Sequence, residues 1–358
     1  MPLISVCIPT YNSQAFIAET IDCVLQQTLQ DFEIIITDNC STDSTIEICN
    51  KYKKKDPRIF IHSNKENIGA FSNFNKGLSL AKGKYLKFLM SDDLLQPSCL
   101  ERTVAIFDEF PSVKVVGCSQ QNVDKSGKVI RSVSIYSESC LVPGNKVTKD
   151  LLMKMSNDIG APSNVIMRRS DYGDGFNCSF YFFADFERWL QALGNGDYYY
   201  LNEPLSILRL HEQSGTTDNF KTFLFISDIL KLKDLFASFM EKEGISNEEW
   251  TQIIEQHIIS YIDYVLLEEK LSAEEIGEYI LRMKSWVGPE HLDDLLKSMS
   301  TLIYYGFFRM HKLNIESRWN QGQVDNLWRE IGLMQKTLPW KIAEPFRSIR
   351  SKLTKSKS

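Results

Sequence analysis

Residues 84–93 read Lys84-Tyr85-Leu86-Lys87-Phe88-Leu89-Met90-Ser91-Asp92-Asp93, an apolar run that stops on two adjacent carboxylates. The pattern over 84–90 predicts a buried strand with both aspartates at its C-terminal end, which is the edge where open α/β sheets bind ligands. Adjacent carboxylates repel each other and are costly to bury unless a positive group neutralises them, as a divalent metal carrying a diphosphate does. The alternative is an Asp-Asp turn that caps a helix following Leu94.

Strands and helices alternate through the residues that precede this stretch. Apolar strands are predicted at 3–9, 32–37 and 58–62, with helical spacing of apolar residues between them and a helix at 71–82. A β-α-β order of this kind predicts a parallel sheet with helices on both faces. The strand ends then bring polar residues and turn formers to one rim, namely Tyr11, Asn12, Asp38, Asn39, Asn67, Gly69, Asp92 and Asp93.

Glycine-rich phosphate loops are missing from this pattern. No Gly-x-Gly-x-x-Gly follows the first strand, and Gly-x-x-x-x-Gly-Lys-Ser/Thr occurs nowhere in the sequence. Dinucleotide dehydrogenases and P-loop enzymes are therefore disfavoured, and a metal is the favoured partner for a diphosphate.

An ordered set of short motifs spans about residues 3–215. The set comprises Val6-Cys7-Ile8-Pro9-Thr10-Tyr11-Asn12, Gln26-Gln27-Thr28, Thr37-Asp38-Asn39-Cys40-Ser41-Thr42-Asp43, Glu66-Asn67-Ile68-Gly69, Ala81-Lys82-Gly83-Lys84-Tyr85 and Ser91-Asp92-Asp93. With these motifs the chain resembles the inverting family 2 glycosyltransferases of the GT-A fold, of the type that builds bacterial surface polysaccharides. The resemblance implies an α/β, Rossmann-like nucleotide-diphospho-sugar transferase domain with a mixed, mostly parallel central sheet.

The resemblance also implies a donor site for a nucleotide sugar. Its residues would be Pro9, Thr10, Tyr11, Asn12, Asp38, Asn39, Asn67, Gly69, Asp92, Arg209 and His211. Many members have Asp-Asp where this chain has Asp38-Asn39, and an Asn side chain can donate as well as accept a hydrogen bond to a base. The family's metal motif is often Asp-x-Asp, and the matching run here is Ser91-Asp92-Asp93. We assign Asp93 to Mn²⁺ or Mg²⁺ and Asp92 to the ribose or a metal-bound water.

The catalytic base is expected farther along the chain, on the acceptor side. Residues 182–190 resemble the family's Glu-Asp element at the start of a helix, although Ala184 stands where Glu is usual. Asp185 remains, and its aromatic neighbours would partly desolvate it and raise its proton affinity, which suits a general base. The alternative is that Asp185 only caps a helix over 186–194. Glu187 is the second candidate for the base.

The segment 204–214 resembles the family's closing strand and loop. Arg209 and His211 alternate onto one face of an extended segment, where they would stabilise the diphosphate leaving group or gate the site. A lone histidine is as often structural, so both interpretations of His211 stay open. The turn-rich residues 160–164 are expected to help line the acceptor pocket.

Composition indicates a cytoplasmic protein that does not act on nucleic acid. The 358 residues carry a formal charge of −5, which argues against a nucleic-acid binder. The eight cysteines include no Cys-x-x-Cys pair, and the N-terminus does not read as a signal peptide. We therefore expect reduced thiols and no transmembrane helix.

The character of the sequence changes after about residue 215. We predict a catalytic domain over 1–215, an all-helical region over 216–335 with breaks near 244–246 and 288–289, and a basic amphipathic tail over 336–358. From Lys341 to the end, six Lys or Arg face one Glu, with Trp, Phe, Ile and Leu interleaved from Leu338 onwards. Such a tail suits peripheral contact with the inner membrane surface, and the alternative is a solvated terminus.

The sequence thus predicts a metal-dependent, inverting glycosyltransferase. Its donor is expected to be a UDP-sugar and its acceptor a saccharide, lipid-linked, in surface-polysaccharide synthesis at the cytoplasmic side of the inner membrane. Two other interpretations are kept: a nucleotidyltransferase, and a nucleotide-sugar-binding scaffold without catalysis, which Asn39, Ser91 and Ala184 favour. The sequence leaves the oligomeric state open.

Overall fold

The computed structural model describes residues 1–211 and 224–268. Two compact units make up the chain, Met1–Gly215 and Thr216–Ser358. Each unit is described by itself below.

One ten-stranded mixed sheet forms the centre of the first unit, in the order β3-β2-β1-β4-β9-β6-β10-β5, with β7 paired to β6 and β8 to β10. Its strands are β1 (Ile4–Thr10), β2 (Phe32–Asp38), β3 (Ile59–Ser63), β4 (Tyr85–Phe88), β5 (Leu94–Leu95), β6 (Val113–Val123), β7 (Val129–Val133), β8 (Cys140–Val142), β9 (Val165–Arg168) and β10 (Asp197–Arg209). Strands β3, β2, β1 and β4 run parallel. Strand β9 is antiparallel to β4 and β6, and β6 is again parallel to β10. The predicted mixed, mostly parallel sheet is confirmed.

Six helices of this unit alternate with the strands. They are α1 (Ile17–Leu25), α2 (Thr45–Lys53), α3 (Ala70–Leu80), α4 (Cys99–Glu109), α5 (Gly144–Lys154) and α6 (Ala184–Leu193), with short 3₁₀ turns at Pro162–Asn164 and Arg169–Tyr172. Strands β1 and β2 are buried along their whole length because helices cover both faces of the sheet. Their apolar side chains, together with those of α1 and α4, form the main core.

The predicted strand over 84–90 is shorter in the structure, because β4 ends at Phe88. After the two aspartates the chain enters β5, and the next helix begins only at Cys99. The alternative in which an Asp-Asp turn caps a helix after Leu94 is therefore wrong.

One of the motifs that resemble the family, residues 81–85, lies at the start of the strands, opposite the strand ends that carry the aspartates. The buried Glu33 carboxylate accepts hydrogen bonds from Ser5 Oγ at 2.6 Å and the Lys82 amide at 2.8 Å. A Cβ at Gly83 would lie 2.4 Å from the Ser5 backbone nitrogen, so only glycine fits there. The run 81–85 therefore fixes the entry to β4 and lies away from the rim where the strand ends converge.

The second unit is described over two helices, α7 (Leu224–Lys242) and α8 (Asn247–Glu268). Between them Gly244 has φ +84°, at the helix break predicted near 244–246. The Trp250 indole N–H donates to the Lys233 carbonyl at 3.0 Å and ties α8 to α7. The predicted break near 288–289 and the basic tail over 336–358 lie outside the described residues.

Candidate active site

The two adjacent aspartates of the turn after β4 point to different surroundings. Asp93 is 5% exposed, and its carboxylate accepts hydrogen bonds from Ser163 Oγ at 2.5 Å and the Arg209 amide at 3.0 Å. Burial first, and then the neighbouring charge of Asp92, raise the pKa of Asp93. Asp93 is thus an internal acceptor that joins the turn to β10 and to the 3₁₀ turn at 162–164.

Asp92, in contrast, lies beside the end of β10. Its Oδ2 is 2.9 Å from His211 Nε2, and both side chains are partly exposed. The Arg209 guanidinium lies next to the same turn, where Nε donates to the Asp92 carbonyl at 3.1 Å. The structure therefore places Arg209 and His211 on the aspartate turn, as the alternation along the strand predicted.

Helix α1 fixes the aspartate turn from the other side. Thr20 Oγ1 donates to the carbonyls of Ser91 and Asp93 at 3.1 and 3.0 Å. The hydroxyls of Ser13 and Ser91 are 2.7 Å apart. Ser91, which takes a position where many family members have Asp, is therefore bound within the protein.

The ends of β1 and β2 meet at the rim as predicted. Asn12, with φ +50°, accepts a hydrogen bond from the Thr42 amide through Oδ1 and donates its own amide to Ser41 Oγ, at 2.8 and 2.9 Å. The neighbouring Tyr11 ring is 49% exposed and is free to lie against a ligand. Thr10 Oγ1 is buried and has no hydrogen-bond partner among the described residues.

Asn39, in contrast, is saturated by its own protein. Its Oδ1 accepts from the Ile68 amide at 2.9 Å, and its Nδ2 donates to Asn67 Oδ1 at 2.7 Å and the Gly69 carbonyl at 3.3 Å. Asn67 Oδ1 also accepts the Gly69 amide at 3.0 Å. Asn39, Asn67 and Gly69 thus form a structured loop beside the rim, with their polar groups turned towards one another.

Asp185 lies in the first turn of α6, which begins at Ala184 with Phe183 as its N-cap residue. The helix-cap interpretation, which needed a helix beginning at 186, is therefore wrong in its register. The carboxylate accepts from the Phe186 amide at 2.7 Å and from Asn157 Nδ2 at 3.3 Å. Burial raises the pKa of Asp185 to about 7, in the direction that its aromatic neighbours predicted. Glu187 is more deeply buried, and burial raises its pKa as well.

One short segment, 157–164, reaches both sides of the site. At its start Asn157 donates to Asp185, and near its end Ser163 donates to Asp93. Ser163 Oγ also accepts the Met90 amide at 3.0 Å, and its carbonyl accepts from the fully buried Lys87 at 2.5 Å. Ser163 is itself 0% exposed, so it supports the aspartate turn from within. The expectation that 160–164 lines the acceptor pocket missed this role, because a turn-rich sequence does not show which groups it binds.

The side chains at the aspartate turn suit a hard or borderline divalent cation that also binds a diphosphate. Within 1–211 and 224–268, no point gathers three or more Asp, Glu, His or Cys side chains that could hold a metal. Mn²⁺ and Mg²⁺ at nucleotide sites can bind through one or two protein ligands and complete their shells with phosphate oxygens and water. Asp92 and His211 supply such a pair, whereas both carboxylate oxygens of Asp93 already accept protein hydrogen bonds.

A protein-family comparison decides the class of the chain. Residues 5–176 match the family model described as Glycosyl transferase family 2. These residues form a family 2 glycosyltransferase domain. The predicted family 2 domain is thereby confirmed.

The relatives of this chain include two bacterial polysaccharide synthases. The chain is 26% identical over 310 residues to the chondroitin synthase of Pasteurella multocida, which covers 85% of this chain and 31% of that protein. It is 38% identical over 130 residues to the hyaluronan synthase of the same species, and this match covers 36% of the present chain and 13% of the synthase. The chain thus spans less than a third of the length of either synthase.

Solved structures share the fold. TarS of S. aureus, residues 1–349, crystallised in complex with UDP-GlcNAc, superposes with a TM-score of 0.58 at 20% identity and covers 84% of this chain and 80% of that chain. This likeness confirms the predicted GT-A class. Among the described residues, no helix is long and apolar enough to cross a membrane.

Proposed function

We propose that this chain transfers a sugar from a nucleoside diphosphate sugar to a hydroxyl group of a saccharide acceptor, with inversion at the anomeric carbon. The observation that carries the proposal is Asp185. Asp185 is half-buried, and burial raises its pKa to about 7. Its carboxylate accepts a hydrogen bond from Asn157, which lies on the same segment as Ser163, the residue that supports the aspartate turn. A carboxylate with that pKa is half ionised near neutral pH, which suits a general base.

In the proposed reaction Asp185 accepts the proton of the acceptor hydroxyl. That oxygen forms a bond to the anomeric carbon from the face opposite the diphosphate. The bond between the anomeric carbon and the diphosphate oxygen breaks, and its electron pair leaves with the nucleoside diphosphate. Attack from the opposite face inverts the configuration, and Asp185 ends the step protonated.

The donor is proposed to be a UDP-sugar. The exposed Tyr11 ring offers a nucleoside a face to stack on. The similar fold of TarS, which was crystallised with UDP-GlcNAc, supports the choice of uridine. Base recognition falls to groups other than Asn39, whose amide is bound within the protein.

Mn²⁺ or Mg²⁺ is proposed as the cofactor, held by Asp92 and His211. This differs from the assignment to Asp93 made from the sequence, because Asp93 is the buried member of the pair and Asp92 the accessible one. A divalent cation bound there would neutralise charge on the diphosphate leaving group. Asp93 instead holds the turn that carries Asp92.

The acceptor is proposed to be a saccharide, lipid-linked, in the synthesis of a bacterial surface polysaccharide. The chondroitin and hyaluronan synthases among the relatives support this class. The cytoplasmic face of the inner membrane is the proposed location, with the basic tail over 336–358 as the proposed contact.

Thermal unfolding with UDP, GDP, dTDP and CMP, each with and without Mn²⁺, tests the donor and the cation together. A ligand at about 100 times its dissociation constant adds about 2.7 kcal/mol to the free energy of unfolding, which shifts the midpoint measurably. We expect UDP with Mn²⁺ to give the largest shift, and Asp92→Asn to abolish the part that depends on Mn²⁺. No shift with any nucleotide would contradict a nucleotide-sugar transferase.

A further inference from the structure

Arg209, the last residue of β10, joins four segments of the catalytic unit. Its backbone amide donates to Asp93, and its side-chain Nε donates to the Asp92 carbonyl. One terminal nitrogen, Nη1, donates to the Lys125 carbonyl at 3.1 Å, and the other, Nη2, donates to Glu19 Oε2 at 2.7 Å. Every nitrogen of the guanidinium therefore has an acceptor within the protein.

Burial also limits access to the guanidinium. The Arg209 side chain is 3% exposed, whereas that of Glu19 is 60% exposed. The hydrogen bonds of the guanidinium use three of its five N–H groups, but the guanidinium is enclosed, so a diphosphate could reach it only if the surrounding protein moved. The geometry therefore does not support the leaving-group role that the sequence suggested for Arg209.

Phe16, just before α1, connects Arg209 to the histidine. The Arg209 guanidinium carbon lies 4.8 Å from the centre of the Phe16 ring, within the range of a cation–π contact. The His211 ring packs on the same phenyl group, with centroids 4.9 Å apart. His211 in turn reaches Asp92. Phe16 thus contacts both the arginine and the imidazole.

We propose that Glu19, Arg209 and Phe16 form a clamp that positions Asp92 and His211. Arg209 fixes the backbone of the aspartate turn, and Glu19 fixes the orientation of the guanidinium. Phe16 packs against both the guanidinium and the imidazole, so the orientation of one restricts that of the other. The three are positioning residues, since they act through Asp92 and His211 and have no contact with substrate assigned to them. The effect of the clamp on cation binding rests on the proposed function. The contacts among Glu19, Arg209 and Phe16 do not.

Glu19→Gln is the most informative variant. The glutamine keeps the size of the side chain and removes the charge that faces Arg209, and the exposed position makes loss of folding unexpected. Glu203→Gln is the matched control, because Glu203 pairs with Arg102 at 2.5 Å in a partly exposed ion pair that contacts none of the clamp residues. Phe16→Leu tests the aromatic contact separately.

Two readouts separate the clamp from the cation. The first is the imidazole NMR resonance of His211 in ¹³C-histidine-labelled protein without metal, since the Phe16 ring current acts on it. The second is titration with Mn²⁺ in the presence of UDP, followed by electron paramagnetic resonance of the free ion. Substitutions in the outer shell of a metal site typically weaken binding about tenfold or more. We expect that loss, and a displaced His211 resonance, in Glu19→Gln and Phe16→Leu but not in Glu203→Gln.

Each outcome decides a different point. An unchanged His211 resonance in Glu19→Gln overturns the clamp, whatever the metal does. A displaced resonance with unchanged Mn²⁺ affinity keeps the clamp and overturns its role at the cation site. A displaced resonance in a protein that binds no Mn²⁺ even as wild type supports the clamp, and it counts against the proposed cofactor instead.

Discussion

The proposed donor side and the proposed acceptor side of this site each hold a carboxylate whose pKa is raised by burial, yet the two carboxylates differ in what surrounds them. Asp93 on the donor side is almost fully enclosed and accepts from Ser163 and from the Arg209 amide. Asp185 on the acceptor side is half-buried, and its hydrogen bonds come from its own helix and from Asn157 at 3.3 Å.

The difference shows that a raised pKa does not by itself identify a catalytic base. Desolvation raises the pKa of a structural carboxylate as readily as that of a functional one. Access distinguishes the two cases, because a base must reach the proton it takes. By this criterion Asp185 remains the proposed base and Asp93 is assigned to the scaffold, so substitutions at the two positions should fail in different ways.

The largest effect is expected for Asp185→Asn. The amide has the shape of the carboxylate but cannot take the proton, so turnover should fall by about 10²–10⁴-fold. The stabilisation of the protein by UDP and Mn²⁺ should remain, because Asp185 has no part in the proposed donor site. Sugar-transfer assays and thermal unfolding with UDP measure the two quantities.

Glu187→Gln is the control for that experiment. Glu187 lies on the same helix, two residues on, and burial raises its pKa too. We expect a change in stability with turnover largely retained. If Glu187→Gln loses turnover and Asp185→Asn keeps it, the base is misassigned. If wild type turns over no sugar while binding nucleotide, the non-catalytic scaffold is favoured.

Ser163→Ala should chiefly reduce stability. It removes a donor to the buried Asp93 carboxylate and the acceptor for the Met90 amide. An unsatisfied buried polar group costs about 1–3 kcal/mol, which denaturant unfolding would detect. The loss should exceed that of Ser79→Ala, whose hydroxyl makes one exposed bond to the Lys76 carbonyl. Equal losses would show that Ser163 is not a support of the aspartate turn.

The pH dependence of turnover should report Asp185. The pKa of this residue is about 7, and only the ionised form accepts a proton. Turnover should therefore rise with pH up to about 7 and level off above it, with about a tenfold loss for each unit below. A profile of kcat/KM that stays flat down to pH 5 would contradict a base with this pKa.

The free energy of unfolding should change with pH in the opposite direction to turnover, because of the same carboxylate. The folded-state pKa of about 7 lies above the ordinary value of 3.8, so the folded protein binds the extra proton between these two pH values. Stability of the wild type should then fall as pH rises through that window, relative to Asp185→Asn, whose side chain does not titrate. Paired denaturant curves at pH 5 and 8 test the sign.

The alternation of strands and helices, the convergence of their ends and the position of Asp185 could all be predicted from sequence. They follow from periodicity and from short motifs, which are local properties of the chain. The antiparallel pairing of β9 with β4 and β6 and the support given by Ser163 could not, because both depend on contacts between segments far apart in sequence. The same holds for Asp93 and Arg209, whose residue types suit ligand binding but whose hydrogen bonds are already made inside the protein.

The smallest of these effects is expected for Asn39→Asp, which gives the chain the Asp-Asp pair common in the family it resembles. The substitution replaces an N–H₂ group that donates to Asn67 and the Gly69 carbonyl with an oxygen that faces two acceptors. The loop should be destabilised by about 1 kcal/mol, and UDP should bind no more tightly. Asn195→Asp is the control, since its exposed amide makes a single bond to the Gln191 carbonyl. Tighter UDP binding by Asn39→Asp, without loss of stability, would show that this position faces the base and that the donor rim is less rigid than its hydrogen bonds indicate.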